Sequence, residues 1–278
     1  MRGGRLRRMI VGCGYLGDRV ARCWREAGDT VYATTRGHRS EMLSRSGLRP
    51  LTLDVTDVPT TTCLPQVDTV VFAVGRDRQA GVTMQDIHVT GLRAVLDALP
   101  DTTGRVIYVS SSGVYGQNSG EWVDEESACE PVSAGGHACL SGERLLSTHP
   151  RGHDAVVLRL AGLYGRGRAP YAAQIRSTTP IAGSRDSFLN LIHVDDAAAA
   201  VVAAAACNRG RTYVISDGHP PTRGEYVEWF AARLGVPAPP FEGGVSLGKR
   251  VRNSRAVGEL IERLTYPSYR DGLDTVRG

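Results

Sequence analysis

Short apolar runs alternate with stretches of helical spacing through residues 1–165. Arg8–Gly12 (RMIVG) is an apolar run ending in glycine. Leu16–Ala27 follows with Leu16, Val20, Cys23, Trp24 and Ala27 on one stripe, the spacing of an amphipathic helix, and Gly28 stops it. Thr30–Thr34 and Leu51–Asp54 read as strands. Thr69–Val74 is a continuous β-branched run, as expected of a strand buried on both faces. Ile87–Leu99 has helical spacing, Arg105–Val109 is another buried strand, Ser141–Ser147 belongs to a helix, and Ala155–Leu160 is a sixth strand. Strands alternating with helices of about a dozen residues predict an α/β fold, a doubly wound parallel sheet of Rossmann type covered on both faces.

After Tyr164 the rhythm loosens into Gly, Arg, Pro and Tyr. A strand-like segment at Phe188–Val194, an Ala-rich helix at Ala197–Cys207, a strand at Thr212–Ile215 and a helix at Gly224–Leu234 follow, with a Pro- and Gly-rich loop at Val236–Gly244. The expected organisation is therefore a Rossmann domain over 1–165 and a smaller α/β part over 166–278, with 186–215 returning to the Rossmann sheet.

Composition changes this picture little. The 278 residues are 41% hydrophobic and 22% charged, with a formal net charge of +4, which is ordinary for a globular protein with a real core. The one dense basic run, Arg2–Arg8, reads as a solvated N-terminal tail, so neither nucleic acid nor membrane is expected as a partner. A small-molecule substrate is the expected partner, and a homodimer is left open. Six cysteines at irregular spacing, with no CxxC, suggest buried free thiols rather than disulfides or zinc. No apolar segment follows the basic start as in a signal peptide, and the Ala-rich run is too short to span a bilayer, so a cytoplasmic location is expected. His149 and His153 are four apart, but Pro150 and Gly152 break the helix that metal ligation would want, so no metal is predicted.

Gly12-Cys13-Gly14-Tyr15-Leu16-Gly17 is a G-x-G-x-x-G between the first strand and the first helix. Gly12 would allow a tight turn and Gly14 the close approach of a pyrophosphate to the helix N-terminus. Gly17 would let the helix pack near the sheet. The order strand, motif, helix, strand separates this from a merely glycine-rich turn. At the end of the second strand an NAD site would place a carboxylate for the ribose 2′-hydroxyl. This chain has Thr34-Thr35-Arg36-Gly37, with Arg39 nearby. A guanidinium suits a 2′-phosphate, so NADP is expected over NAD, the alternative being that Arg36 is a solvated loop residue.

Three further segments complete a pattern: Val109–Gly116 (VSSSGVYG), Arg159–Gly167 (RLAGLYGRG) and Asn190–Asp196 (NLIHVDD). With the glycine turn they resemble the extended and atypical short-chain dehydrogenase/reductase superfamily, of NAD-dependent epimerase/dehydratase type, over almost the whole chain. The likeness is nearest to bacterial YeeZ-type proteins. The resemblance implies that Gly12, Gly14, Tyr15, Leu16 and Gly17 carry the pyrophosphate, Asp54 and Val55 lie by the adenine, and Ala73, Val74 and Gly75 line the ribose. It places Ser110 and Ser111 towards the nicotinamide and substrate, and makes His193 and Asp195 structural braces of the substrate part.

One departure bears on mechanism. Ordinary members carry Tyr-x-x-x-Lys ahead of a glutamate, the lysine lowering the phenol pKa so that it exchanges a proton with substrate. Aligned on Glu143, those positions hold Gly135 and Cys139. No tyrosine lies between Tyr115 and Tyr164, and Lys249 is the first lysine. The candidate catalytic groups are then Ser111, His137 and Tyr164, with Ser112, Tyr115, Arg166, Arg168 and Tyr171 as candidate substrate contacts. Three functions follow: an NADP-dependent reductase or epimerase of a small metabolite; a non-redox isomerase, lyase or cyclase reusing the cleft; or a non-catalytic NADP-responsive binding protein.

Overall fold

The computed structural model describes residues 5–59, 62–75, 81–207 and 210–273. Strand β1 (Arg7–Val11) leads through the glycine turn into helix α1 (Gly17–Glu26), then β2 (Thr30–Thr35), α2 (Ser40–Arg45), β3 (Arg49–Thr52) and β4 (Thr69–Phe72). A π-helical turn, Asp86–Gly91, opens α3 (Leu92–Ala98). β5 (Arg105–Ser111), a 3-10 turn (Ser112–Val114), β6 (Ser119–Val123), α4 (Ala134–Thr148) and β7 (Val156–Leu160) complete the first part. Then come β8 (Gly162–Tyr164), α5 (Ala172–Ser177), β9 (Ile181–Ala182), β10 (Leu191–His193), α6 (Val194–Ala204), β11 (Thr212–Ile215), α7 (Arg223–Leu234), β12 (Phe241–Glu242) and β13 (Gly248–Val251).

Seven strands form one parallel sheet in the order β11-β7-β5-β4-β1-β2-β3. The period of two along each strand fills both faces. Ile10 and Val71 pack with Val20, Trp24 and Ala197 on one side. Met9, Val11, Val70 and Phe72 pack with Leu92, Val95 and Leu96 on the other. This is why the strands read as unbroken apolar runs: all four residues of β4 and all five of β7 are buried. The chain leaves β1 towards β2 on one side and reaches β4 on the other, so a crevice opens at the carboxyl ends of β1 and β4. A third apolar cluster, with Tyr164, Ile175, Leu191, Tyr226 and Phe230, forms the smaller part.

The structure amends several sequence expectations. The segment 188–194 contributes only β10, which pairs with β8 outside the central sheet, while β11 joins the central sheet beside β7. Phe188 instead bridges to Thr222. Helix α6 begins at Val194, three residues before the alanine run, because His193 Nδ1 accepts the Asp195 N–H as its cap. Helix α4 is twice the length expected from Ser141–Ser147, since Gly135, Gly136 and Gly142 hide its apolar stripe. The 236–244 loop contains β12, paired with β9. The ladder of β6 with β13 has no clear alternation in the sequence.

The basic run is not simply a tail. Arg7 and Arg8 belong to β1, and Arg8 lies over Trp24 and pairs with Asp29 at 2.9 Å. Residues 1–4 lie outside the described residues. The six cysteines are free thiols, but only Cys13 and Cys139 are buried, while Cys23 and Cys63 are exposed. His149 turns to Asp97 at 3.0 Å and His153 to Asp154. Among the described residues no helix is long and apolar enough to cross a membrane, and no group of three or more His, Cys, Asp or Glu could hold a metal.

Candidate dinucleotide site

A cleft of about 670 Å³ runs across the carboxyl ends of β1, β2, β4 and β5. Its floor is set by three glycines with different tasks. Gly12 has φ +92°, and a Cβ there would lie 2.7 Å from the Ala73 backbone, so only glycine lets β1 turn beneath β4. A Cβ on Gly17 would come within 2.5 Å of the Gly12 carbonyl and 2.9 Å of Ile10 Cγ2, so Gly17 seats α1 against the sheet and faces away from the cleft. A Cβ on Gly14 would meet nothing within 4 Å. That open space at the start of α1 fits a diphosphate, which the first N–H groups of a helix attract. Thr34 ties the turn to β2 by accepting the Gly12 N–H at 3.0 Å.

Tyr15, Leu16, Arg36, Asp54, Val55, Ala73, Val74, Gly75, Ser110, Ser111 and Arg168 also line the cleft. Among the described residues Asp54 is its only carboxylate. Thr56 donates to it from the backbone at 2.9 Å and from the hydroxyl at 2.7 Å, which with nearby Arg36 holds the carboxyl below the usual range. Arg36 and Arg39 stand at the end of β2, Arg36 exposed at the mouth and Arg39 donating to the Cys13 carbonyl.

The serine side of the cleft rests on a buried polar network that sequence reasoning missed. Ser110 donates to Glu143 Oε1 at 2.6 Å, and Glu143 pairs with Arg159 at 2.7 Å, both side chains about nine-tenths buried. Arg159 donates to Tyr115 Oη at 2.8 Å and lies over its ring. Below the cleft, His88 Nδ1 is 2.6 Å from Tyr108 Oη, and Tyr108 also reaches the Cys139 carbonyl at 3.4 Å. Burial pushes the His88 pKa down to about 4, leaving a neutral imidazole, and pushes the Cys139 thiol up to about 11. His88 and Cys139 both line the cleft. In the sequence His88 is one polar residue within the helical run Ile87–Leu99, with no partner spacing to single it out.

Several candidate residues lie elsewhere. Tyr164 is fully buried, not a cleft group: its hydroxyl donates to the Ser268 carbonyl at 3.0 Å and its ring stacks edge-on with His193. Burial and the nearby Asp217 push that phenol well above its ordinary range, the opposite of what a proton donor needs. Tyr115 is buried in the Arg159 network, and Ser112 opens the 3-10 turn outside the cleft. His137 is on the exposed face of α4. Arg166 is exposed, and Tyr171, at φ +57°, lies under Arg223 at the start of α5; neither lines the cleft. Ser111 Oγ accepts the Gly113 N–H at 3.0 Å while lining the cleft, so it both caps the turn and faces the site. Of the "HVDD" acids, Asp195 is exposed and pairs with Arg19, whereas buried Asp196 accepts the Thr265 and Tyr266 N–H groups and fastens the C-terminal segment.

Comparison with solved structures gives matches along the whole chain. A conserved protein of unknown function from Silicibacter pomeroyi is 26% identical, with a TM-score of 0.77 and 98% of each chain covered. A candidate NAD-dependent epimerase/dehydratase from Methylobacillus flagellatus is 28% identical with the same score and coverage. The UDP-glucuronic acid 4-epimerase of Bacillus cereus, solved with NAD, shares the fold at 20% identity, a TM-score of 0.80, and coverage of 98% of this chain and 97% of that one. No curated protein sequence matches. The sequence profile of the NAD-dependent epimerase/dehydratase family matches residues 9–216, from within β1 to just past β11. A Rossmann sheet of seven strands, a glycine turn at its switch point and a profile spanning three-quarters of the sequence lead to one assignment: the chain belongs to the NAD-dependent epimerase/dehydratase family.

Proposed function

We propose that the protein is an NADP-dependent enzyme of reductase or epimerase type acting on a small metabolite, in the cytoplasm, where six free thiols suit a reducing medium. The observation that carries the cofactor choice is the end of β2: Arg36 and Arg39 stand where a carboxylate would select NAD, and the one acid among the described residues lining the cleft, Asp54, is already engaged by Thr56. In this reading Gly12, Gly14, Tyr15 and Leu16 hold the diphosphate and Arg36 the 2′-phosphate. Asp54 and Val55 lie by the adenine, and Ala73 to Gly75 by the ribose. The nicotinamide, when bound, supplies hydride chemistry beside Ser110 and Ser111.

Because Gly135 and Cys139 stand where a phenol–lysine pair is usual, proton transfer here falls to other groups. The Ser111 hydroxyl accepts from Gly113 and keeps its own proton to donate to a reacting oxygen. His88, neutral and fixed by Tyr108, can only donate or accept a hydrogen bond, not deliver a proton as imidazolium near pH 7. That weak acid–base equipment suits a substrate already activated, such as an iminium or a conjugated enone. It also favours a second reading, a non-redox isomerase, lyase or cyclase in the same cleft. Titration calorimetry should give tighter binding of NADPH than NADH, and Arg36→Ala should remove the difference; equal affinities in the parent protein refute the NADP choice. Turnover of a carbonyl, iminium and enone panel with NADPH oxidation followed in parallel separates the two readings, since product without NADPH consumption belongs to the second.

A further inference from the structure

Among the described residues lining the cleft, Arg168 alone comes from beyond Leu163. It ends a tight turn closed by two reciprocal backbone bonds, Gly165 N–H to the Arg168 carbonyl at 2.8 Å and Arg168 N–H to the Gly165 carbonyl at 2.9 Å. Gly165 has φ +144°, and a Cβ there would lie 2.9 Å from His193 Nε2 and 3.0 Å from Tyr15 Oη, so the turn is pressed against the glycine turn with no room for a side chain. Tyr15 fastens the two together: its hydroxyl donates to the Arg166 carbonyl at 3.2 Å, and the Arg168 guanidinium lies 5.5 Å from its ring centroid. A second guanidinium, Arg19, lies 4.4 Å from the same ring, but Asp195 neutralises it at 2.7 Å. No carboxylate of the described residues stands within 4 Å of the Arg168 guanidinium. This exposed guanidinium, held on a tight turn over the residue after Gly14 and with no acid partner among the described residues, suits an anion at that place.

We infer that Arg168 is a ligand of the cofactor's diphosphate, reaching it from the substrate-binding part of the chain, rather than a contact for substrate. The inference rests on the dinucleotide reading above. It has a further consequence: the turn around Arg166 is tied to cofactor occupancy.

The experiment measures NADPH and NADH affinity for the parent chain, Arg168→Gln, Arg168→Lys and Arg36→Ala, with trypsin cleavage after Arg166 followed by mass spectrometry. Arg168→Gln should weaken both cofactors by the same factor, roughly 10- to 100-fold for a lost charge-assisted contact. Arg168→Lys should lose less, and Arg36→Ala should weaken NADPH alone. Either cofactor should protect the bond after Arg166 in the parent chain and not in Arg168→Gln. Affinities within twofold of the parent in a folded Arg168→Gln overturn the proposal, as does a loss confined to NADPH, which would put Arg168 on the 2′-phosphate. A parent chain that binds neither dinucleotide overturns the cofactor reading itself.

Discussion

At the scale of single residues, the three glycines of one motif are not equivalent. Of the three, only Gly14 faces open space; a Cβ on Gly12 or Gly17 would meet backbone at 2.5–2.7 Å. Gly14→Val should therefore fold with stability within about 0.5 kcal/mol of the parent, as for a surface change, because the valine meets nothing. It should bind NADPH at least about 100-fold more weakly, since the side chain fills the space a diphosphate needs. Thermal melts and calorimetry on the same sample check both halves, and unimpaired binding would show that the motif is only a turn.

At the scale of elements, α4 is the helix whose sequence says least and whose packing says most. Gly142 lies against the β5 face, where a Cβ would stand 2.4 Å from Tyr108 Oη and 2.8 Å from the His88 carbonyl. Alanine normally stabilises a helix interior by about 1 kcal/mol relative to glycine. Here Gly142→Ala should instead destabilise by about 1–3 kcal/mol, the usual cost of overpacking, as read from denaturant midpoints. Adding Tyr108→Phe removes the clashing oxygen and should recover part of the loss. A stabilising Gly142→Ala would mean that the His88–Tyr108 contact yields easily. At the other end of the molecule, α7 has the reciprocal capping box of Thr222 and Glu225, which is why its start is legible within one residue.

At the scale of the whole molecule, two buried groups pull the pH dependence of stability in opposite directions. Asp217 is 2% exposed, and burial raises its pKa from 3.8 to about 7. Between those values the native state holds a proton that the unfolded chain has lost, so this group's contribution falls as pH rises from 4 to 7. His88 is lowered from 6.5 to about 4. In that window the unfolded chain binds a proton that the native state refuses, so its contribution falls as pH falls. The effects are on the order of 4 kcal/mol for Asp217 and 3 kcal/mol for His88, and they offset one another between pH 4 and 6.5. Asp217→Asn removes one side of the balance. Its stability should rise from pH 4 to 6.5, and its gap over the parent should widen up to about pH 7. Chemical denaturation at each pH tests this; a constant gap would mean that Asp217 ionises normally.

What the sequence determined by itself was everything carried by local pattern: the order of the Rossmann strands, the glycine turn, and Arg36 at the end of β2. Those features depend on periodicity and on contacts between near neighbours in the chain. The tertiary structure decided which polar residues face the cleft. Tyr164 and Tyr115 looked available in sequence, yet one is buried beneath His193 and the C-terminal segment and the other is bound to Arg159. His88 carried no signal in the sequence, yet the π-helical turn before α3 brings it to the cleft beside Cys139 of α4. The turn that carries Arg168 meets the glycine turn across 151 positions of sequence, through the bond from Tyr15 to the Arg166 carbonyl. A side chain's direction depends on how helices pack on a sheet, and that packing joins residues too far apart for any local pattern to record.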